Sequence, residues 1–152
     1  MTDDKFDLRE GVTQLNLEYK QLNDQEAALL AAVIRFNEGL TTLTLSHNKI
    51  GPEGSKALGK ALETNDIPLS YLNIKGNAIG DEGRQSLTES LLRNANSKLA
   101  WMTDDKFDLK PGTTSLDASS QSIGDVEASL LGAVIRFNVC ALSFNLVLMP
   151  CL

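Results

Sequence analysis

The chain repeats itself on two length scales, and this restricts its fold more than any other feature. At the shorter scale LTTLTLSHNKIGPEGSKALGKALETN (residues 40–65) matches LSYLNIKGNAIGDEGRQSLTESLLRN (69–94) at an offset of 29. VTQLNLEYKQLNDQEAALLAAVIRFN (12–37) fits the same frame at an offset of 28, with Leu15, Leu17 and Leu22 standing where Leu43, Leu45 and Ile50 stand. TTSLDASSQSIGDVEASLLGAVIRFN (113–138) fits again, keeping Leu116 and Ile123 but placing Ala118 at the second leucine. At the longer scale MTDDKFDL occurs at 1–8 and unchanged at 102–109, and over the 37 aligned positions from 1–37 and 102–138, this octapeptide included, 22 are identical. A cassette of several repeats is duplicated in tandem. Periods of this length belong to stacked arrays, in which each unit buries its apolar side against its neighbours.

One unit reads directly. Leu43-x-Leu45 alternates apolar and polar residues, so it is a short strand with one buried face. Asn-x-Ile-Gly then turns the chain. Pro52, or Asp81 in the next unit, sits near a helix start, with Glu53 and Glu82 in the first turn, where negative charge suits the helix dipole. The predicted buried stripes are Leu29, Leu30, Val33, Ile34; Ala57, Leu58, Ala61, Leu62; Leu87 and Leu91; and Leu130, Leu131, Val134, Ile135. A strand followed by a helix, repeated, gives parallel strands on one side and helices on the other.

The frame Leu40, Leu43, Leu45, Asn48, Ile50, Gly51, Gly54, Leu58 and its recurrence Leu69, Leu72, Ile74, Asn77, Ile79, Gly80, Gly83, Leu87 resemble the leucine-rich repeat family. Within it they resemble the longer, helix-bearing subtype of ribonuclease inhibitor and the NOD-like receptors. The resemblance covers residues 12–138. It implies an α/β solenoid with parallel strands on the concave side and helices on the convex side. It also implies that the chain holds another protein and is not an enzyme, and that Asn48 and Asn77 serve the turns as a ladder between repeats. The Ran GTPase-activating protein has the same repeat subtype, so regulation of a small GTPase is the alternative, and the sensor part of an innate-immune-type receptor is another.

The expected organisation is an N-terminal capping segment (1–11), repeats at about 12–39, 40–68, 69–98 and 113–140, an irregular loop near 99–112, and an apolar tail or incomplete fifth repeat (139–152). Within the loop, Leu99-Ala-Trp-Met102 can supply an extra strand with Leu99 and Met102 inward. Phe107 and Leu109, like Phe6 and Leu8 at the start, are expected to pack on the edge of the array. In the tail Ala141, Phe144 and Leu146 fall on inward positions of a next strand. The chain is therefore expected to be a fragment cut one strand into its next repeat. Lys20 and Gln121 replace the turn asparagine, which predicts looser turns there.

Composition narrows the partners. A net charge of -6 leaves no basic patch for phosphates, so no nucleic-acid partner is expected. The start MTDDKFDL lacks the apolar run of a signal peptide, and the uncharged tail of 14 residues is too short for a membrane span. Cys140 and Cys151 have no metal-binding spacing and read as reduced thiols, which favours a cytoplasmic setting.

No catalytic, metal or cofactor site is expected. His47 is the single histidine and faces outward beside frame residues, so no triad can be assembled around it. Gly76, Gly80 and Gly83 lack the spacing of a phosphate loop, and two of them recur as Gly51 and Gly54. Asp3, Asp4, Asp7 and their copies Asp104, Asp105, Asp108 lack the ligand frame of a calcium loop and read as solvated charge. Arg35 and Arg136 occupy equivalent helical places and read as solvent-facing. The candidate partner-binding surface is the outward side of the strands and the turns that follow: Gln14, Asn16, Glu18, Tyr19; Thr42, Thr44, Ser46, His47; Tyr71, Asn73, Lys75; and Ser115, Asp117, Ser119.

Overall fold

The computed structural model describes residues 2–3, 6–7, 11–63, 67–94, 97–111, 115–117, 122–135 and 143–145, of which 2–3, 6–7, 115–117 and 143–145 are described through their backbone. The elements run β1 (Thr2–Asp3), β2 (Phe6–Asp7), β3 (Gln14–Asn16), α1 (Asp24–Ile34), β4 (Thr42–Thr44), α2 (Pro52–Leu62), β5 (Tyr71–Asn73), α3 (Gly80–Arg93), β6 (Trp101–Thr103), β7 (Asp108–Leu109), β8 (Ser115–Asp117), α4 (Asp125–Ile135) and β9 (Ser143–Asn145). Strands β3, β4, β5 and β6 pair in parallel, β7 closes their sheet antiparallel to β6, and β8 and β9 form a separate parallel pair. The helices pack in sequence order, α1 on α2, α2 on α3 and α3 on α4.

Register follows the leucine frame. Leu15 lies opposite Leu43, Leu43 opposite Leu72 and Leu72 opposite Met102. These side chains and Leu17, Leu45, Ile74, Leu22, Ile50 and Ile79 point from strand and turn into the layer between sheet and helices, where all are buried. Complete burial of one such side chain contributes roughly 2 kcal/mol, and the contribution exists only because a neighbouring unit covers it. Within the irregular segment, Trp101–Thr103 is the expected extra strand and Asp108–Leu109 pairs back on it as a hairpin. Leu99, Met102, Phe107 and Leu109 are all buried there, with Met102 and Leu109 paired across β6 and β7.

The duplication is visible in the backbone. In β1–β2 Thr2 pairs with Asp7 and Asp3 with Phe6; in β6–β7 Thr103 pairs with Asp108, and the Asp104 N–H donates to the Phe107 carbonyl. The described residues of the first MTDDKFDL copy therefore pair as their equivalents around the second do. The side chains of Phe6 and Leu8 lie outside the described residues, as do Arg136, Cys140, Ala141, Leu146 and Cys151.

The turns rest on two asparagines. The Asn48 amide donates to the carbonyls of Leu17 and Leu45, both at 2.8 Å, and its oxygen accepts from the Leu22 N–H. Asn77 repeats this one unit on, donating to Leu45 and Ile74 and accepting from the Ile50 N–H. Each side chain thus satisfies buried backbone groups of its own unit and of the unit before it. Where Lys20 stands instead, Tyr19 and Gln21 both adopt a φ of 57°.

The helical stripes depart from expectation at four positions. In α1 the buried residues are Ala27, Leu30, Ala31 and Ile34, while Leu29 is 40% exposed and Val33 half-buried. The inward stripe is spaced i, i+3, i+4, i+7, and Leu29 stands one residue off it, about 100° around the helix. Ala57, which holds the place of Leu29 in α2, is half-buried for the same reason, and Ile135 at the end of α4 is half-buried as well.

Candidate protein-binding face

The outward side of β3–β6 carries two rows of side chains set by the register. One row is Gln14, Thr42, Tyr71 and Trp101; the other is Asn16, Thr44, Asn73 and Thr103. Successive residues in a row come from strands about 4.8 Å apart, so each row is a continuous strip. Gln14 and Asn16 are exposed; Thr42, Thr44, Tyr71, Asn73 and Trp101 are half-buried. The Asn16 and Asn73 side chains accept hydrogen bonds from the N–H of Glu18 and of Lys75, which fixes both at the point where strand becomes turn.

A third line follows at the turns. The Ser46 hydroxyl donates to Glu18 at 3.0 Å. Ser46 is 2% exposed, so it is not an outward-facing contact residue as the alternation predicts; it is held beneath Glu18. The chain leaves its strand before this position, and the alternation of faces ends with the strand. Next to this line Tyr19 and His47 stack at 4.7 Å with 6° between ring planes. Both have positive φ, which tips the rings onto one another at the rim. His47 lies against Gly76, where a Cβ would come within 2.5 Å of Nδ1. The rim is thus an aromatic pair lying on a glycine backbone, with Tyr19 68% exposed.

At the far end the rows meet the hairpin. The Tyr71 hydroxyl hydrogen-bonds with Thr103 Oγ1 at 3.0 Å, Thr103 donates to Asp108 at 2.7 Å, and Lys110 Nζ stands 2.7 Å from Asp108. Burial pulls the Asp108 carboxyl upward, but hydrogen bonds from Lys110 and Thr103 and the charge of Lys110 outweigh it and hold the group below its ordinary value. The hydrogen bond and charge of Asp108 raise Lys110 correspondingly.

Eleven of the expected surface residues, from Gln14 to Lys75, lie on or beside this one sheet. Ser115 and Asp117 sit on β8, in the other sheet; their side chains, and Ser119, lie outside the described residues. Trp101, Asp108 and Lys110 belong to the face and are absent from the sequence-based list; Thr103 ends the second row but is buried at 2% exposure, like Ser46. The signal for Trp101 was present, since it precedes the inward Met102 as Tyr71 precedes the inward Leu72. No group of three His, Cys, Asp or Glu side chains is placed to hold a metal ion among the described residues. No helix among them is long and apolar enough to cross a membrane.

A leucine-rich repeat family profile matches residues 37–59 and 66–87. Fold and matches together define the class: the chain folds as an α/β leucine-rich repeat solenoid. No curated protein matches it.

Proposed function

We propose that the chain is a non-enzymatic scaffold that binds another protein across its concave strand face. Leucine-rich repeats are in general protein–protein interaction modules, and the two rows of outward side chains supply what such a surface needs. The observation that carries the reading is the placement of Tyr71 beside Trp101 in one row and of the stacked Tyr19–His47 pair at the rim. Half-buried aromatics offer large contact area at little conformational cost, with small polar neighbours that can hydrogen-bond around them. The scaffold beneath is preorganised, because the strands that carry these residues are fixed by the leucine core and the asparagine turns.

The test replaces Tyr19, His47 and Tyr71 together with alanine, and Trp101 alone, in the full chain. Circular dichroism and thermal melting check that each variant folds. Partner recovered by the unmodified chain is expected to be lost with the triple variant and weakened by Trp101→Ala. Unchanged recovery by folded variants rejects this face as the binding surface.

A further inference from the structure

The hydrogen-bond chain in the middle of the strand face has a fixed direction. Thr103 Oγ1 donates to the Asp108 carboxylate at 2.7 Å. A hydroxyl carries one proton, so Thr103 has none left for Tyr71 and can only accept from it. The 3.0 Å contact between Tyr71 Oη and Thr103 Oγ1, whose geometry allows either direction, therefore runs from Tyr71 to Thr103. The proton of Tyr71 is committed, and its oxygen offers lone pairs alone to anything that lies on the face. Trp101 stands beside Tyr71 in the same row, on the adjacent strand and half-buried. Its indole N–H is a donor only, and no described residue accepts from it. Neighbouring positions about 4.8 Å apart thus present one acceptor and one donor.

The charges around the pair narrow what can meet it. Lys110 Nζ stands 2.7 Å from Asp108 and close enough to Tyr71 for the two to interact, and Lys75 acts on Asp108 from the turn after β5. A partner ammonium or guanidinium would donate to Tyr71 but would meet two like charges. A partner carboxylate would set lone pairs against the lone pairs of Tyr71 and leave both without a proton. A primary amide carries an uncharged N–H and a carbonyl on one edge, whereas the two groups of a trans peptide point in opposite directions. We propose that the Tyr71–Trp101 position selects an Asn or Gln side chain of the partner protein. Its N–H donates to Tyr71 Oη and its carbonyl accepts from the Trp101 indole. Thr103 and Asp108 are positioning residues, which hold the Tyr71 proton turned away from the partner. The inference rests on the strand face being the binding surface and adds the chemistry of one position on it.

The probes are acetamide, N-methylacetamide, acetate and methyl glucoside, titrated separately into the full chain labelled with nitrogen-15. Trp101 is the single tryptophan, so its indole N–H signal reports the position without ambiguity. Acetamide is expected to shift that signal saturably, and N-methylacetamide and acetate are expected to bind about tenfold more weakly, because each leaves a polar group unpaired. Tyr71→Phe is expected to bring acetamide down to the level of acetate. Thr103→Val, of nearly the same shape, frees the Tyr71 proton to turn outward. Acetate is expected to approach acetamide in that variant, a change of preference that a purely structural role of Thr103 does not produce. Thermal melting checks that both variants fold. The inference is overturned by an indole signal indifferent to acetamide, by equal binding of acetate and acetamide in the parent, or by a preference unaltered in Thr103→Val. Tighter binding of N-methylacetamide overturns it in favour of a peptide group, and tighter binding of methyl glucoside in favour of a saccharide. These titrations need no partner, so their failure removes the chemistry of this position alone, while unchanged partner recovery by the aromatic variants removes the face.

Discussion

Arg84 and Asp104 form a buried ion pair in which Nε and Nη2 of the guanidinium both reach the carboxylate, at 3.0 to 3.3 Å. The two side chains are 9% and 1% exposed, one on α3 and the other in the hairpin that opens the second cassette. Glu127 of α4 and Asp105 stand 4.0 Å from the same guanidinium. A single arginine thus joins the third repeat, the hairpin and the following helix.

Removing one partner from a buried pair leaves a charge without compensation, which costs about 3 kcal/mol or more. Arg84→Ala is expected to lose that much, because four carboxylates, the exposed Asp81 at 3.7 Å among them, lose their cation. Asp104→Asn is expected to lose less, because Glu127 and Asp105 remain beside the arginine. Urea denaturation of the two variants decides the order, and an Asp104→Asn loss as large as that of Arg84→Ala contradicts this account of the junction.

Helix α2 starts at Gly51, which has no side chain to cap it, and the cap comes from the preceding repeat. Asp24 accepts from the N–H of Gly51 at 2.6 Å and of Gly54 at 2.9 Å. Loss of a capping side chain costs about 1 to 2 kcal/mol, and Asp24→Ala is expected to destabilise by that amount in chemical denaturation. Asp24→Asn is expected to keep part of the effect, since its amide oxygen still accepts. An alanine variant as stable as the parent removes Asp24 from the contacts that hold repeats one and two together.

These two contacts mark the limit of what the sequence discloses. Strand positions, inward leucines and turn asparagines follow from a repeating frame, because each depends on residues within one unit. Arg84 does not, since it occupies the place held by the buried Ser55 one repeat earlier, and only the hairpin brings it a carboxylate. Leu29 does not either: its exposure depends on which unit stands in front of α1, and its copy Leu130 is fully buried. On the candidate face, alternation places Gln14, Thr42 and Tyr71 but fails at Ser46, where the strand has ended. Tyr71 to Trp101 spans 30 residues against the 29 from Thr42 to Tyr71, so a fixed offset misses the tryptophan, whereas the inward pair Leu99 and Met102 sets it in the row of Tyr71.

Backbone conformation in the turns gives a pair of substitutions with opposite signs. Gly76 has a φ of 70° and lies under His47, so a methyl group there is both strained and obstructed. Gly76→Ala is expected to cost about 1 to 2 kcal/mol from the left-handed backbone alone, with a further loss from the displaced imidazole. Gln21 holds a φ of 57° with an exposed side chain that accepts one hydrogen bond from Lys49. Glycine relieves the left-handed strain there, and Gln21→Gly is expected to raise stability by up to about 1 kcal/mol. Thermal melting of both variants measures the signs, and a loss in Gln21→Gly comparable with that in Gly76→Ala contradicts the strain argument.

The Asp108–Lys110 pair, at the hairpin end of the candidate face, predicts a pH dependence of definite sign. The Asp108 carboxyl sits below the ordinary aspartate value of 3.8, so its contribution to stability is present above that value and is lost as pH falls through the folded pKa. Lys110 sits above the ordinary lysine value of 10.5, so its contribution is present below 10.5 and is lost as pH rises through the folded pKa. Both side chains are about half exposed, 47% and 60%, so the effect on stability is small and weakened by salt. Lys110→Met removes the hydrogen bond and the charge that counter burial, leaving the Thr103 hydrogen bond. The Asp108 titration midpoint, followed by carboxyl NMR, is expected to move upward in that variant. The stability difference between parent and variant is expected to stay level through neutral pH and to narrow below about pH 4, where the carboxylate of either protein becomes neutral. An Asp108 midpoint that does not move on loss of Lys110 contradicts the assignment of the lowered value to this pair.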